Sequence, residues 1–319
     1  MFNKDFYNLS QQVQGAIFQG AFTRYNQALN DEERANPLTS HALLQMRRGY
    51  AESPGWLLVQ MIEFDPEPLT VEKFRIRAVY SAPDLISGML ELMASEKWLD
   101  RTDNSYRLAE AGREIWGDMV QRRHAMMMSL DNNLAGIELD KIERLMRRIV
   151  DASLAHPEVP SKWCLAYSRR RAVWYDSCSA DRLLQLCGDF NAFRDDAHMS
   201  AYAPYNISGH LWEVFTSICD QKANTIDDLY NQLAYRGFSK QDWQAALDHL
   251  ATRGWIELNS TSDTSASTAY QPTSKGNAIR DTVEGMTDHY FYLPWSCLTN
   301  AETSELHDLM NSVIQVYSS

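Results

Sequence analysis

Several features that announce a function are missing from this sequence. No apolar run approaches the roughly 20 residues that a membrane-spanning helix needs, and residues 1–6 lack the basic and then apolar segments of a signal peptide. No glycine-rich phosphate loop occurs, and neither Gly-x-Ser-x-Gly nor His-Glu-x-x-His is present. We therefore expect a cytoplasmic protein that associates with no membrane, uses no cofactor and is not an enzyme.

Cysteines are few and carry no metal-binding pattern. The sequence has five of them and no Cys-x-x-Cys spacing. Unpaired thiols of this kind are typical of a reducing compartment, and the missing spacing argues against a structural zinc site. We predict reduced thiols, most of them buried, and no bound metal.

Positive charge is also scarce. The formal net charge is −12; residues 1–159 carry 18 basic against 23 acidic side chains, and residues 160–319 carry 12 against 19. Neither part of the chain is basic. Binding to a polyanion would therefore depend on a local basic surface that overcomes the negative field of the whole protein.

What the sequence does contain is an internal repeat. Residues 53–80 align with residues 208–235 without a gap. The identical positions include Ser53/Ser208, Val59/Val214, Asp65/Asp220, Thr70/Thr225 and Tyr80/Tyr235. The register then shifts at two predicted turns or loops, where insertions are tolerated, and continues to Met146 and Met310. Solenoid repeats span roughly 20–50 residues, so a period of about 155 residues indicates a duplicated domain.

The repeat predicts two domains of ordinary size. Residues 1–155 form the first, which we call the first half, and residues 174–319 form the second half. Residues 156–173 are the predicted linker between them. Its two prolines, Pro157 and Pro160, should make it rigid.

The second half shows the signals of three helices followed by a hairpin. After a first helix, Thr225 caps a second one that ends at Gly237, and Ser239 caps a third. Alternating residues predict short strands at 255–258 and 270–272, and a long helix follows. This is the element order of a winged helix-turn-helix.

The first half follows the same path with a shorter wing. Thr70 opens its second helix, and Pro83 lies in the first turn of the third, where the missing N–H of proline does no harm. Residues 98–100 and 106–108 predict the strands of its wing. One fold is thus indicated twice in a single chain.

Two motifs resemble those of the MarR-like winged-helix regulators of bacteria. They are Gly254-Trp255-Ile256 and Tyr270-x-Pro272-Thr273-x-x-Gly276. The segments that end at Met146 and Met310 are similar to the helix through which that family dimerises, and residues 191–198 with 209–213 resemble uncharacterised bacterial helix-turn-helix proteins. The resemblance implies a mainly α fold with small β-wings: two tandem winged helix-turn-helix units with flanking dimerisation-type helices, forming an intramolecular pseudo-dimer.

The same resemblance implies a function in transcription. A MarR-like protein binds double-stranded DNA and responds to a small aromatic or lipophilic effector. A chain with two such units would act as a monomeric pseudo-dimer or as a homodimer. The alternative is a winged-helix protein that has lost DNA binding and acts through a protein partner or a bound small molecule.

The third helix of a winged helix enters the major groove, where Arg, Lys, Asn and Gln read bases. In the second half that helix and its end offer Lys240, Gln241, Gln244 and Arg253. In the first half, residues 82–96 contain none of these four residue types and three carboxylates. We therefore predict that the second half faces DNA, although a solvated amphipathic helix explains its polar residues equally well.

Aromatic residues suggest where an effector would bind. The predicted pocket residues are Trp56, Trp212, His198 and Trp295, and the alternative is that they only fill the hydrophobic core. Asp195 and Asp196 precede His198, but adjacent helical residues point about 100° apart and so do not face one metal ion together. Structural hydrogen bonds or ion pairs are the expected role of this cluster. The arginine pairs elsewhere predict salt-bridged helix faces, with a phosphate-binding band as the alternative.

Overall fold

The computed structural model describes residues 5–35, 58, 61–130, 134–170, 179–259 and 269–318. Its helices are α1 (Asp5–Ala28), α2 (Asp31–Ala35), α3 (Val71–Phe74), α4 (Pro83–Ser95), α5 (Glu110–Met128), α6 (Leu139–Ala155), α7 (Trp163–Arg170), α8 (Ser179–Tyr202), α9 (Gly209–Cys219), α10 (Ile226–Leu233), α11 (Lys240–Thr252), α12 (Ser274–Tyr292) and α13 (Asn300–Ser318). Its strands are β1 (Leu99–Thr102), β2 (Ser105–Leu108), β3 (Ile256–Leu258) and β4 (Tyr270–Pro272). The protein is mainly helical with two small antiparallel sheets, as predicted. None of the helices in these ranges could cross a membrane.

The chain forms two compact units. The first unit contains Met1–Leu69, Met93–Ala197 and Asp288–Ser319, and the second contains Thr70–Leu92 and His198–Thr287. These units do not follow the predicted boundary at residues 156–173. Each unit instead contains residues of both halves of the sequence.

The core of the first unit mixes the two halves of the sequence. Helix α1 packs along α13, and the Phe6 ring lies 4.7 Å from the Trp295 ring. Two ion pairs join α6 to α13. They link Lys141 with Glu305 and Arg148 with Glu302. Apolar residues from near both ends of the chain are therefore buried together.

The predicted linker contains a helix. Both carboxylate oxygens of the buried Asp196 accept hydrogen bonds from the first turn of α7, from the N–H groups of Cys164 and Leu165, each over 2.9 Å. A carboxylate at this position satisfies unpaired N–H groups and complements the helix dipole. Up to residue 170, the last described residue of this segment, the predicted linker is held in place by these hydrogen bonds.

The second unit holds the winged helix of the second half together with α3 and most of α4 from the first. Its core is rich in aromatic residues, among them Trp212, Phe215, Trp243 and Trp255, which are buried. The Trp255 ring lies 5.1 Å from the Phe215 ring of α9. Packing against α9 explains why a tryptophan stands directly before β3.

The two wings repeat the same backbone contacts. The carbonyl of Trp98 accepts from Ala109 N–H over 3.0 Å, and the carbonyl of Trp255 accepts from Thr273 N–H over 3.0 Å. A Cβ atom at Gly112 would lie 2.3 Å from the Trp98 carbonyl, and one at Gly276 would lie 2.1 Å from the Trp255 carbonyl. Only glycine permits the following helix to approach the strand so closely.

The cysteines among the described residues form no disulfide. Cys164, Cys187, Cys219 and Cys297 are free thiols, of which the first two are buried, and Cys178 lies outside the described residues. Burial raises the pKa of the Cys219 thiol to about 11. The Cys219 thiol therefore stays protonated at neutral pH, where a thiol is a poor nucleophile.

Candidate nucleic-acid interface

The helix-turn-helix of the second half is built from two capped helices. The Thr225 side chain accepts from Asp228 N–H, and the Ser239 side chain accepts from Asp242 N–H. In return, each aspartate side chain accepts a hydrogen bond from the backbone N–H of its cap residue. Between the helices the chain passes through Gly237 at φ 76°, a left-handed conformation that glycine adopts without strain. Two capping boxes and one glycine thus fix the start of α11.

Three of the predicted DNA-binding residues lie on α11, and the structure gives each a different environment. Lys240 is exposed and forms an ion pair with Asp227. Gln241 is exposed. The Gln244 side-chain amide donates to Asp248 over 2.9 Å. Lys240 and Gln241 are therefore exposed and Gln244 is half-buried, and the positive charge of Lys240 is already balanced.

Arg253, the fourth predicted residue, follows the end of α11. Its guanidinium donates to the carbonyl oxygens of Tyr205 and Asn206 over 2.6 and 3.1 Å and lies 5.2 Å from the centre of the Trp255 ring. These partners are neutral, so hydrogen bonding leaves the positive charge of Arg253 uncompensated among the described residues. Such a charge attracts phosphate more strongly than one in an ion pair.

The structure adds one residue that the sequence pattern did not single out. Lys275 lies in the first turn of α12, is exposed, and donates to the carbonyl oxygen of Arg253 over 2.8 Å. Its amine therefore lies beside Arg253 at the base of the wing. The motif Thr273-x-x-Gly276 could have indicated this, since it places Lys275 at the start of the helix.

In the first half, α4 offers a different surface. Its outward positions include Asp84, Gly88 and Leu92, and the Leu92 side chain is 49% exposed. A carboxylate only accepts, as from the amino group of cytosine, and a glycine and an apolar side chain form no hydrogen bond to a base edge. That α4 is not the reading helix stays a prediction.

The predicted pocket residues lie in different cores. His198 and Trp212 belong to the second unit, whereas Trp295 is fully buried among Phe6, Phe190 and other aromatic rings of the first. Trp56 lies outside the described residues. The structure therefore brings together two of the four.

His198 and Trp212 form a directional hydrogen-bond chain. The indole N–H of Trp212 donates to His198 Nε2 over 2.7 Å, so that nitrogen carries no proton. The other ring nitrogen, Nδ1, then donates to the Thr287 hydroxyl over 3.1 Å, and this hydroxyl donates to the carbonyl of Val283 over 2.8 Å. Every polar group in the chain has a partner, which explains why a histidine is tolerated here.

An open cleft lies in the first unit, and none of the described pocket residues predicted from sequence lines it. It is a cleft of about 460 Å³ that leads to the start of α6 and is lined by residues 134–141, Arg144 and Ser179. Its lining is mostly backbone and charged side chains. It lacks the aromatic walls that a lipophilic effector would need.

The acidic cluster before His198 has a structural role. Asp196 caps α7, as described above, and Arg194 pairs with Asp288 over 3.0 Å. Among the described residues, no group of three His, Cys, Asp or Glu side chains could hold a metal ion. The prediction of structural hydrogen bonds and ion pairs is therefore confirmed for these residues.

The arginine pairs are mostly salt-bridged, as expected. Arg147 pairs with Glu143, Arg148 with Glu302, Arg169 with Asp189, Arg170 with Glu67 and Arg123 with Asp181. Arg47, Arg48 and Arg171 lie outside the described residues. Charges neutralised in this way leave little for a continuous phosphate-binding band.

Comparison with known proteins identifies the motif and no closer relative. No curated protein and no solved structure matches the chain. A helix-turn-helix family matches residues 117–318, from within α5 to the end of α13, which is more than half of the chain. A family of this kind points to a DNA-binding regulator rather than an enzyme as the general class of function. The chain belongs to this helix-turn-helix family.

Proposed function

We propose that this protein is a transcriptional regulator of the MarR-like type that binds double-stranded DNA with α11 in the major groove. The observation that carries the proposal is the second helix-turn-helix, whose reading helix is capped at its start and bears exposed Lys240 and Gln241. Lysine and glutamine are residues that recognise base edges and phosphates.

Electrostatics favour one part of this surface. The protein is acidic overall, so a phosphate approaches only where positive charge is not already balanced. Arg253 and Lys275 supply two such charges, side by side at the base of the wing. A DNA strand that passes this point would contact both side chains while α11 enters the groove.

The proposal includes two tandem MarR-like units that form a pseudo-dimer in one cytoplasmic chain. The matched contacts of the two wings support a common origin of the halves. The core shared by α1, α6, α8 and α13 supports an intramolecular version of a dimer interface. Mass determination in solution tests it, since a pseudo-dimer needs no second chain.

Responsiveness to an aromatic or lipophilic effector is the finer part of the proposal. Its support is the number of aromatic side chains in the two hydrophobic cores, including Trp212 and Trp295. Because both rings are buried, an effector would enter only by displacing packed side chains. A thermal-shift series with aromatic carboxylic acids tests this, and a rise in melting temperature that Trp212→Phe abolishes is the expected result.

One observation favours a second candidate function, a winged-helix protein that has lost DNA binding and acts through a partner. The outward face of α4 is acidic and apolar, with Asp84, Gly88 and Leu92 exposed. A face of this composition repels phosphate and suits a protein surface.

The deciding experiment is a DNA titration at several salt concentrations. For the wild-type protein and sheared genomic duplexes, the logarithm of the association constant should fall linearly with the logarithm of salt concentration. Lys275→Ala should flatten that slope by about one unit, because one phosphate contact contributes about 0.9. Arg147→Ala is the control, since Arg147 is an exposed cation already paired with Glu143. No binding at low salt would favour the second candidate.

A further inference from the structure

In the second unit, the helix-turn-helix segments of the two halves pack directly against each other. The backbone N–H of Ala82, just before α4, donates to the carbonyl of Arg236, in the turn before α11, over 2.7 Å. The guanidinium of Arg236 lies 5.3 Å from the centre of the Tyr80 ring. The turn of one motif thus supports the turn of the other.

Two glycines of the second half allow this approach. A Cβ atom at Gly209 would lie 2.4 Å from the carbonyl oxygen of Val79, and one at Gly237 would lie 2.6 Å from Cβ of Leu85. Real Cβ atoms do not come so close to other heavy atoms. The contact is therefore specified by the second half and is more than a chance proximity of two surface loops.

The turn of the second half is also held from its own side. The Arg236 guanidinium forms a forked pair with Glu213 of α9, in which Nη2 donates to Oε1 over 2.6 Å and Nε donates to Oε2 over 3.1 Å. Paired, forked geometry of this kind fixes an arginine side chain in place. Arg236 therefore ties α9, the turn before α11 and Tyr80 of the first half into one arrangement.

The contact sets an upper limit on the separation of α4 and α11. Leu85 is the third residue of α4, and Gly237 precedes Lys240, the first residue of α11, by three residues. With the contact at Gly237 and consecutive Cα atoms about 3.8 Å apart, Leu85 and Lys240 lie within roughly 17 Å of each other. Two reading helices on successive turns of the major groove have their centres roughly 34 Å apart. Each of these helices has 13 residues and is about 20 Å long, so helices whose starts are held this close reach that spacing only if they diverge in nearly opposite directions. The contact therefore disfavours simultaneous reading by α4 and α11.

The side chains make the same distinction as the distances. Gly88 of α4 and Ala245 of α11 occupy aligned positions of the repeat, and both are exposed. Around Gly88 the neighbouring outward residues are Asp84 and Leu92, whereas around Ala245 they are Gln241, Asp242, Asp248 and His249. The face around Ala245 therefore offers an amide and an imidazole beside two carboxylates, and the face around Gly88 offers one carboxylate and an apolar side chain.

We propose that each chain reads DNA with a single helix, α11, and that α3 and α4 of the first half serve as a fixed support for it. The proposal rests on the DNA-binding function proposed above. It predicts one continuous recognition block for each chain, instead of the two half-sites that a symmetrical dimer reads.

A matched pair of lysine substitutions tests which helix faces DNA. The probe is a pool of duplexes with 30 random base pairs, about three helical turns, enriched by repeated binding to the wild-type protein. Ala245→Lys places a new charge on α11, and should change affinity by about tenfold and the salt slope by about one unit. Gly88→Lys is the aligned control on α4, where a Cβ meets no atom within 4 Å, and should leave both within about twofold of wild type.

The possible results separate the two proposals. One enriched block for each bound chain, counted by mass photometry, supports a single reading helix. Equal effects of Gly88→Lys and Ala245→Lys, or one chain that protects two blocks a helical turn apart, would overturn it and leave DNA binding intact. No enrichment of any duplex would instead remove the proposed function, and the single-helix proposal with it.

The support itself is measured without DNA, by hydrogen exchange on the whole chain. The Ala82 amide should be protected in the wild type, because it is hydrogen-bonded to Arg236. Gly209→Ala should raise the exchange rate of this amide at least tenfold. Gly285→Ala, where a Cβ meets no atom within 4 Å, should leave that rate unchanged. Unchanged protection in Gly209→Ala would show that the two segments do not hold each other.

Discussion

The two helix-turn-helix motifs share a backbone plan and differ in the surface of their last helix. In both, a threonine caps the second helix, and the carbonyl of the wing tryptophan accepts from the residue after the second strand. The outward face of α11 carries Lys240 and Gln241, whereas that of α4 carries Asp84 and Leu92. Caps and glycines thus preserve the fold, while the exposed positions are free to change function.

The largest expected effect concerns the wing tryptophans. Trp255 is 3% exposed, while Trp98 is only partly buried. Trp255→Ala should lower the free energy of unfolding by about 3–5 kcal/mol, because a large buried ring leaves a cavity. Trp98→Ala should cost less than half as much, and both values come from urea titration. A similar cost at both positions would mean that the two wings are packed alike.

The glycines behind the wings come next, and here the halves should behave alike. Gly112→Ala and Gly276→Ala each place a Cβ against a tryptophan carbonyl, so each should lower stability by about 1–3 kcal/mol. Gly117→Ala and Gly285→Ala are the matched controls in the same two helices, where a Cβ meets no atom within 4 Å. In those helix interiors alanine should raise stability by about 0.4–1 kcal/mol. A loss in only one half would break the correspondence between the wings.

A smaller effect is expected at a feature specific to the second half. Trp212→Phe removes the N–H that His198 Nε2 accepts, and should cost about 1–2 kcal/mol, since a buried acceptor loses its partner. The aligned residue of the first half is Leu57, which has no such N–H. A double-mutant cycle with His198→Gln isolates the bond as a coupling of at least about 0.5 kcal/mol. Additive losses would show that the bond contributes nothing of its own.

The smallest effect is a dependence on pH through His210. Burial is the main cause that lowers its pKa; Asp242 raises it, and Arg75 and His249 lower it. Because the unfolded chain binds this proton first, stability is complete above the ordinary histidine value near 6.5 and falls as pH drops below it. Urea titrations at about pH 7 and about pH 5.5 should show a smaller loss for His210→Gln than for wild type. An equal loss would assign the acid sensitivity to other groups.

Local signals in the sequence predicted much of this fold. Thr225 with Asp228 and Ser239 with Asp242 are capping pairs three residues apart, and Gly237 marks the turn between their helices. Each of these features is decided by neighbours in sequence. The same applies to the first wing, whose strands are joined by only two residues, Asp103 and Asn104.

Partners far apart in sequence were out of reach. The two prolines at 157 and 160 predicted a linker, but Asp196 caps a helix there from more than 30 residues away, since it bonds Leu165 N–H at a separation of 31. Arg253 was predicted as a DNA-binding residue, and only the structure shows that its guanidinium donates to the carbonyl oxygens of Tyr205 and Asn206. The sequence could therefore propose a reading surface, which stays a prediction, but it could not predict the ion pair of Lys240 with Asp227.

The core shared by the two ends of the chain has a consequence for how the protein is made. Phe6, Leu9, Val13 and Ile17 form the apolar stripe of α1, and α13, the last helix of the chain, makes the most extensive contact with α1. A ribosome adds roughly 5–20 residues each second, so about 300 residues separate the emergence of the stripe from that of its cover by some 15–60 seconds. During this time the newly made helix is exposed to chaperones, proteases and other nascent chains. Synthesis that stops shortly before residue 300 should therefore yield a product in which this stripe lacks its α13 cover, even though both winged helices have already been made.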